Sequence, residues 1–189
     1  MRRLCQLPLT PLHYPLVYLI YKVDRKLVLP GLIVGSMFPD IEVPILLIIF
    51  GFEGRSRLVL HSLIGAATVG TLVSLAVTIY FYPLLISAFF PLKLNKIREK
   101  CRFSYSLVAS CLLGNISHIL LDYINHDYNP LFWPLITPSE ISSSPICYFL
   151  GGTGRTTLII QTILVAILII IFVSKRDKIW EKLLIGDDL

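Results

Sequence analysis

Three stretches of the chain, Leu58 to Phe90, Phe103 to Asn125 and Thr156 to Ser174, are apolar for about the length, roughly 20 residues, that a helix needs to cross the hydrocarbon core of a bilayer. A fourth, Leu27 to Phe52, has similar length but is interrupted by Pro39, Asp40, Glu42 and Pro44. The first 21 residues are apolar too, behind Arg2 and Arg3, but Pro8, Pro11 and Pro15 break the run and no small-residue cleavage site follows. This segment therefore reads as a retained short helix, re-entrant or interfacial, and not as a signal peptide or a full span. The pattern predicts an all-α fold: an integral membrane helical bundle with about four spanning helices plus a short N-terminal helix. It treats residues 1–189 as a single membrane domain, with 156–174 as the last transmembrane helix.

Composition agrees with that reading. The chain has 189 residues, of which 55% are hydrophobic and 15% charged. Its mean hydropathy is +0.75, too high for an ordinary soluble domain of this size. The net charge of +5 gathers beside the spans, in Lys93 to Arg102 and Lys175 to Lys182. Such clusters anchor to anionic lipid and form no nucleic-acid-binding face. By the positive-inside rule, 93–102 and 175–189 are cytoplasmic, whereas 127–154, which holds no Lys or Arg, is external. The expected location is the cell membrane, as a multi-pass protein with membrane lipids as partners. Four cysteines at 5, 101, 111 and 147 lack CxxC spacing and read as small buried hydrophobes.

Against this background the ionisable residues stand out, because a charged group at membrane depth is costly and marks a functional site by default. His118, Asp122 and His126 follow one another at steps of four, which on a helix places them within an arc of roughly 80°. Cys111 and Asn115 extend the same polar stripe. At about 1.5 Å per residue from Phe103, His118 lies roughly 22 Å across the membrane and Asp122 roughly 28 Å. His126 is about 12 Å beyond His118, at the rim. The preceding helix runs the opposite way and brings His61 towards His118 and Asp122. Asp40, about 20 Å into its own segment, belongs at a similar depth. A Pro-Asp break there is tolerable only if it faces the bundle interior. Gly31 and Gly35, with Gly65, Ala66, Ala67 and Gly70, favour close helix packing and carry no chemistry of their own. His13 has no clear depth.

Imidazole and carboxylate on facing helices are metal-ligand chemistry. A divalent cation compensates buried carboxylates and keeps imidazoles neutral. Zinc fits the donor set first, and manganese or iron also match mixed His and Asp ligands without Cys. The candidate metal ligands are Asp40, His61, His118, Asp122 and His126, and the candidate catalytic residues are Glu42 and His13. Glu42 admits three readings: a general base, a partner that orients a ligand, or a residue facing headgroups. Ser36 and Ser62 read as hydrogen-bond donors to the ligands. Residues 130–134, rich in Pro and aromatic side chains, are interfacial anchors or a lid.

The combination of Leu9-Thr10-Pro11-Leu12-His13, Gly35-Ser36-Met37-Phe38-Pro39-Asp40, His61-Ser62 and Ser117-His118-Ile119-Leu120-Leu121-Asp122 resembles the membrane-bound metal-dependent hydrolases. These are small multi-pass proteins of bacteria and archaea. The resemblance spans roughly residues 8 to 135 and implies that His13, Asp40, His61, His118 and Asp122 are ligand or catalytic positions. The order of ligands is also similar to that of zinc-dependent phospholipase C and the related single-strand nucleases, which act on phosphodiesters. The chain departs from the family at Asp40-Ile41-Glu42, where an Asp-x-Asp is usual.

The function expected from these residues is metal-dependent hydrolysis of an ester or phosphoester of a lipid or envelope component by metal-activated water. Two other classes stay open: a divalent-metal or proton transporter or channel, and a non-catalytic scaffold with a structural metal. The inner halves of the second and third long apolar segments carry almost no ionisable groups, which favours a closed site over a transmembrane pathway.

Overall fold

In the computed structural model, residues 10–51, 57–126, 129–136, 145–174 and 178–186 are described. Several features read from the sequence lie outside them: Arg2, Arg3, Cys5, Pro8, Leu9, Lys175, Arg176 and much of the loop between 127 and 144.

The described residues form helices and turns. A 3-10 turn, Thr10–His13, leads into α1, Tyr14–Val23. Its ten residues rise only about 15 Å, too little to cross a bilayer. α1 is nonetheless packed inside the bundle, with Val17, Tyr18 and Tyr21 buried. α2, Leu29–Met37, and α3, Glu42–Phe50, are two halves of one apolar span, Leu29–Phe50, joined by a 3-10 turn at Pro39–Ile41. The remaining spans are α4, Leu63–Phe89, α6, Tyr105–Asn125, and α8, whose apolar stretch is Gly154–Ser174. Short helices lie between and after them: α5, Leu94–Lys100, α7, Pro145–Phe149, and α9, Ile179–Leu184. Four spanning helices and a short N-terminal helix match the pattern read from the sequence.

The spans are inside-out by the standard of soluble proteins. Leu72, Phe81, Ile163 and Ile170 are all more than half exposed, because lipid tails solvate them as well as a core would. With no hydrophobic drive between helices, close packing must come from small residues. α2 and α6 run parallel and meet through Gly31, Gly35 and Gly114. A Cβ on Gly114 would lie 2.6 Å from the Leu32 carbonyl oxygen and 2.9 Å from the Ser36 nitrogen. A Cβ on Gly35 would collide with the carbonyl oxygen of Cys111. The GxxxG step therefore packs as expected, and its partner on α6 is Gly114.

α4 runs antiparallel to α6 and is held by polar contacts. Asn115 donates to Ser74 Oγ at 3.1 Å and to the Cys111 carbonyl at 2.8 Å. Two π-helical stretches, Ala66–Gly70 and Val77–Phe81, interrupt α4. At the first, the Thr71 amide and hydroxyl both donate to the Ala66 carbonyl, five residues earlier, the hydroxyl at 2.7 Å. At the far end of the bundle α9 is pinned by Tyr14 and Tyr82, whose hydroxyls donate to the carbonyls of Leu183 and Leu184 at 2.8 and 2.7 Å. Lys96 of α5 pairs there with Glu181 of α9. This basic end is opposite the one that holds His61, His118 and Asp122.

The α2–α6 contact predicts a sharp contrast between glycines. Gly114→Val overpacks a backbone-to-backbone contact and should cost about 1–3 kcal/mol or more. Gly154, where a Cβ meets nothing within 4 Å, should accept Ala within about 1 kcal/mol. Thermal unfolding in detergent compares the two.

Candidate metal centre

Every polar feature of the site follows from how its helices end or break. α2 stops before Pro39, whose ring cannot continue the ladder, and the turn over Pro39–Ile41 swings Asp40 towards α6. The last turn of α2 sets the Ser36 carbonyl against α6. It accepts a hydrogen bond from His118 Nδ1 at 2.7 Å. A carbonyl only accepts, so Nδ1 carries the proton and Nε2 offers a lone pair to the bundle interior.

His61 is oriented in the same way by a different partner. It does not sit in the first turn of α4, as the apolar pattern suggested. α4 starts at Leu63, because Ser62 adopts extended geometry and accepts the Gly65 amide at 3.0 Å as an N-cap. His61 thus belongs to the irregular segment 57–62, which wraps around Glu42. The Glu42 carboxylate accepts from the amides of Leu58, Val59 and Leu60 at 3.0, 2.7 and 3.1 Å. It also accepts from His61 Nδ1 at 2.9 Å. Four donors occupy its lone pairs. Of the three readings open for Glu42, this placement corresponds to a partner that orients a ligand.

The freed Nε2 atoms converge on two carboxylates. His118 Nε2 lies 3.4 Å from Asp40 Oδ1 and 3.6 Å from Asp122 Oδ2. His61 Nε2 lies 3.9 Å from Asp40 Oδ1 and 3.7 Å from Asp122 Oδ2. One ligand atom from each of the four residues falls within 4.8 Å of all the others. His61, His118 and Asp122 are fully buried, and the Asp40 side chain is 9% exposed, the most accessible of the set.

These separations are compatible with a shared cation. They exceed the 2.7–3.2 Å of a hydrogen bond, and both oxygens of Asp40 and Asp122 and both Nε2 atoms lack a hydrogen-bond partner among the described residues. Ligand atoms bound to one cation at about 2.1 Å in a tetrahedron lie roughly 3.4 Å apart, close to what is seen. Arg57 offsets part of the charge of Asp122, but burying six polar atoms without hydrogen-bond partners remains very costly, so the residues fit a divalent ion, whose identity the donor set leaves open.

His13 and His126 complete the surroundings. The His13 ring stacks on His118, with centroids 4.0 Å apart, and its Nε2 is 3.6 Å from Asp122 Oδ1. The turn over Thr10–His13 settles the depth that the sequence left undefined. His126 stands 3.6 Å from the same oxygen and is only 6% exposed, so the rim position read from axial distance is an enclosed one. Asp122 lies midway between His118 and His126 on the helix and reaches both.

Arg57 stands immediately before the Leu58 to Phe90 stretch. The backbone is irregular there, and the side chain is only 7% exposed, with Nε 3.3 Å from Asp122 Oδ2. No local signal announces this, since it depends on the grip of Glu42 on the next three amides. Ser36 acts through its carbonyl; its hydroxyl donates to Ile33. Ser62 caps α4 and donates to the Val59 carbonyl. Leu131 of the 130–134 segment accepts from the Leu63 amide at 3.0 Å and packs on Ala66 and Ile119, while Phe132 is half exposed.

The profile of the YdjM inner membrane protein family matches residues 10–183, nearly the whole chain. The chain belongs to this family. It is a multi-pass protein of the cell membrane, as the four apolar spans require. The family's description names a membrane and no reaction, so the metal-dependent hydrolase resemblance is supported at the level of membrane class and of a metal-compatible site. No curated protein and no solved structure matches the chain.

Replacing Glu42 by Ala strips three amides and His61 Nδ1 of their acceptor, at about 1–3 kcal/mol for each group left buried and unpaired. Hydrogen exchange at Leu58, Val59 and Leu60 should accelerate by at least tenfold relative to the amides of α6. Unchanged protection would show that Glu42 does not hold the segment.

Proposed function

We propose that the protein is a membrane-embedded metal-dependent hydrolase acting on a phosphoester of a lipid or envelope component. The observation that carries this reading is the convergence of Asp40, His61, His118 and Asp122, with unpaired ligand atoms at metal-compatible separations, beside a buried arginine. When bound at such a site, a divalent ion polarises a phosphoryl oxygen and acidifies coordinated water.

The chain's own residues divide the remaining work. Ser36 and Glu42 fix the two imidazoles in the tautomer that offers Nε2, so the ligands are set before substrate arrives. Glu42 acts through His61 and is a positioning residue. Asp40, the most accessible ligand, marks the side from which substrate enters. Arg57 presents a guanidinium beside Asp122, and a planar cation in a poorly hydrated site suits a phosphoryl oxygen better than a carboxyl ester. His13 is placed for proton transfer or for binding a cation. Structural zinc sites are usually closed and rich in Cys; this donor set has none, which favours an enzyme over a scaffold. Towards the basic end the described α4 and α6 bury Ser74, Thr78, Ser110 and Asn115 but no carboxylate, imidazole or basic side chain, which favours it over a transporter.

The test is metal analysis of detergent-purified protein, wild type against His118→Ala and Asp122→Ala, followed by turnover of phosphatidic acid, a phosphodiester lipid and a carboxyl ester. Wild type should hold metal, both variants should lose it, and the phosphoester should be cleaved. Arg57→Ala should lower kcat/KM on the phosphoester by about 100-fold, the usual cost of one charge-stabilising donor, and affect a carboxyl ester less. Near-zero metal in all three proteins removes the metal site. Metal retained without turnover of any ester turns the reading to the scaffold.

A further inference from the structure

Asp122 has two oxygens, and only Oδ2 faces His61, His118 and Arg57. Oδ1 has its own pair of neighbours, His13 Nε2 and His126 Nε2, each at 3.6 Å. An imidazolium–carboxylate pair would close to about 2.7–2.9 Å. The observed spacing instead repeats that of the four-residue group, near the roughly 3.4 Å edge of a metal tetrahedron. Asp122 Oδ1 and His126 Nε2 are buried and lack a hydrogen-bond partner among the described residues.

The spacing His118-x3-Asp122-x3-His126 explains how one carboxylate serves both sides. Residues four apart on a helix are neighbours, so Asp122 has His118 a turn below and, at the end of α6, the C-cap His126, whose amide donates to the Asp122 carbonyl. The stacking of His13 on His118 at 4.0 Å then sets one ligand of each side next to the other.

We infer that His13, His126 and Asp122 Oδ1 form a second divalent-cation position, with Asp122 bridging it to the first. The inference rests on the reading of the first group as a metal site and assigns His13 to cation binding, not proton transfer. It also separates two roles. The first position has four protein ligands, a complete tetrahedron, whereas the second has three and leaves its fourth place to water or to a phosphoryl oxygen. Substrate that enters past Asp40 and pairs with Arg57 then lies beside Asp122, the residue the two positions share.

The experiment uses full-length protein in detergent, stripped with a chelator and reconstituted with Mn2+, and reads metal per chain by mass spectrometry and spin coupling by electron paramagnetic resonance. Wild type should bind two ions and give an exchange-coupled spectrum. His126→Ala and His13→Ala should each bind one ion with an uncoupled spectrum, and that retained ion itself reports an intact first group. Wild type saturating at one uncoupled ion overturns the second position and spares the first. Wild type binding none overturns both. Two coupled ions persisting in His126→Ala overturn the assignment of that ligand.

Discussion

The backbone-to-backbone contact of α2 with α6 sets the terms for everything at the polar end of the bundle. Only because Gly35 and Gly114 lack side chains can the Ser36 carbonyl reach His118 Nδ1 at 2.7 Å. That hydrogen bond selects the tautomer, and the tautomer decides which nitrogen faces Asp40 and Asp122. A packing feature that carries no chemistry of its own thus determines the chemistry two turns away. The same contact carries Pro39 and Asp40 to the depth of α6, so the break in the first span opens onto a polar wall and not onto lipid.

A second constraint comes from the solvent. Lipid rewards exposed apolar side chains and penalises every unpaired polar atom, so the helices can be loosely apolar outside and must be exact inside. The hydroxyls of Thr71 and Thr78 donate to backbone carbonyls, and the Asn115 amide nitrogen donates to the Cys111 carbonyl and to Ser74. Buried polar atoms without a hydrogen-bond partner concentrate around Asp122, where they belong to carboxylates and imidazoles; elsewhere among the described residues they include neutral amide oxygens, those of Asn115, Asn125 and Asn129.

Much of this was legible in the sequence. Apolar length gave the four spans, and proline placement gave a short α1. The spacing of four gave the shared face of His118, Asp122 and His126, while charge asymmetry and antiparallel topology brought His61 and Asp40 to it. What escaped has a common cause. The inward turn of Arg57, the occupied state of Glu42, the start of α4 after His61 and the depth of His13 all arise in irregular backbone, where neither helical period nor axial rise applies. Gly114 as the partner of Gly35, and the π-helical stretches of α4, needed the register between helices, which hydropathy does not encode.

The grip of Glu42 on three consecutive amides gives segment 57–61 an unusual kind of specification. Its path is dictated by main-chain groups, which all residues except proline share, so the side chains of Leu58, Val59 and Leu60 contribute little to it. What the segment must preserve is the number of residues between Arg57 and His61. Replacing Leu58, Val59 or Leu60 by another residue with a backbone amide keeps these hydrogen bonds, whereas the loss or gain of a single residue would withdraw either the guanidinium or the imidazole. Information that is usually carried by residue identity is held here by chain length.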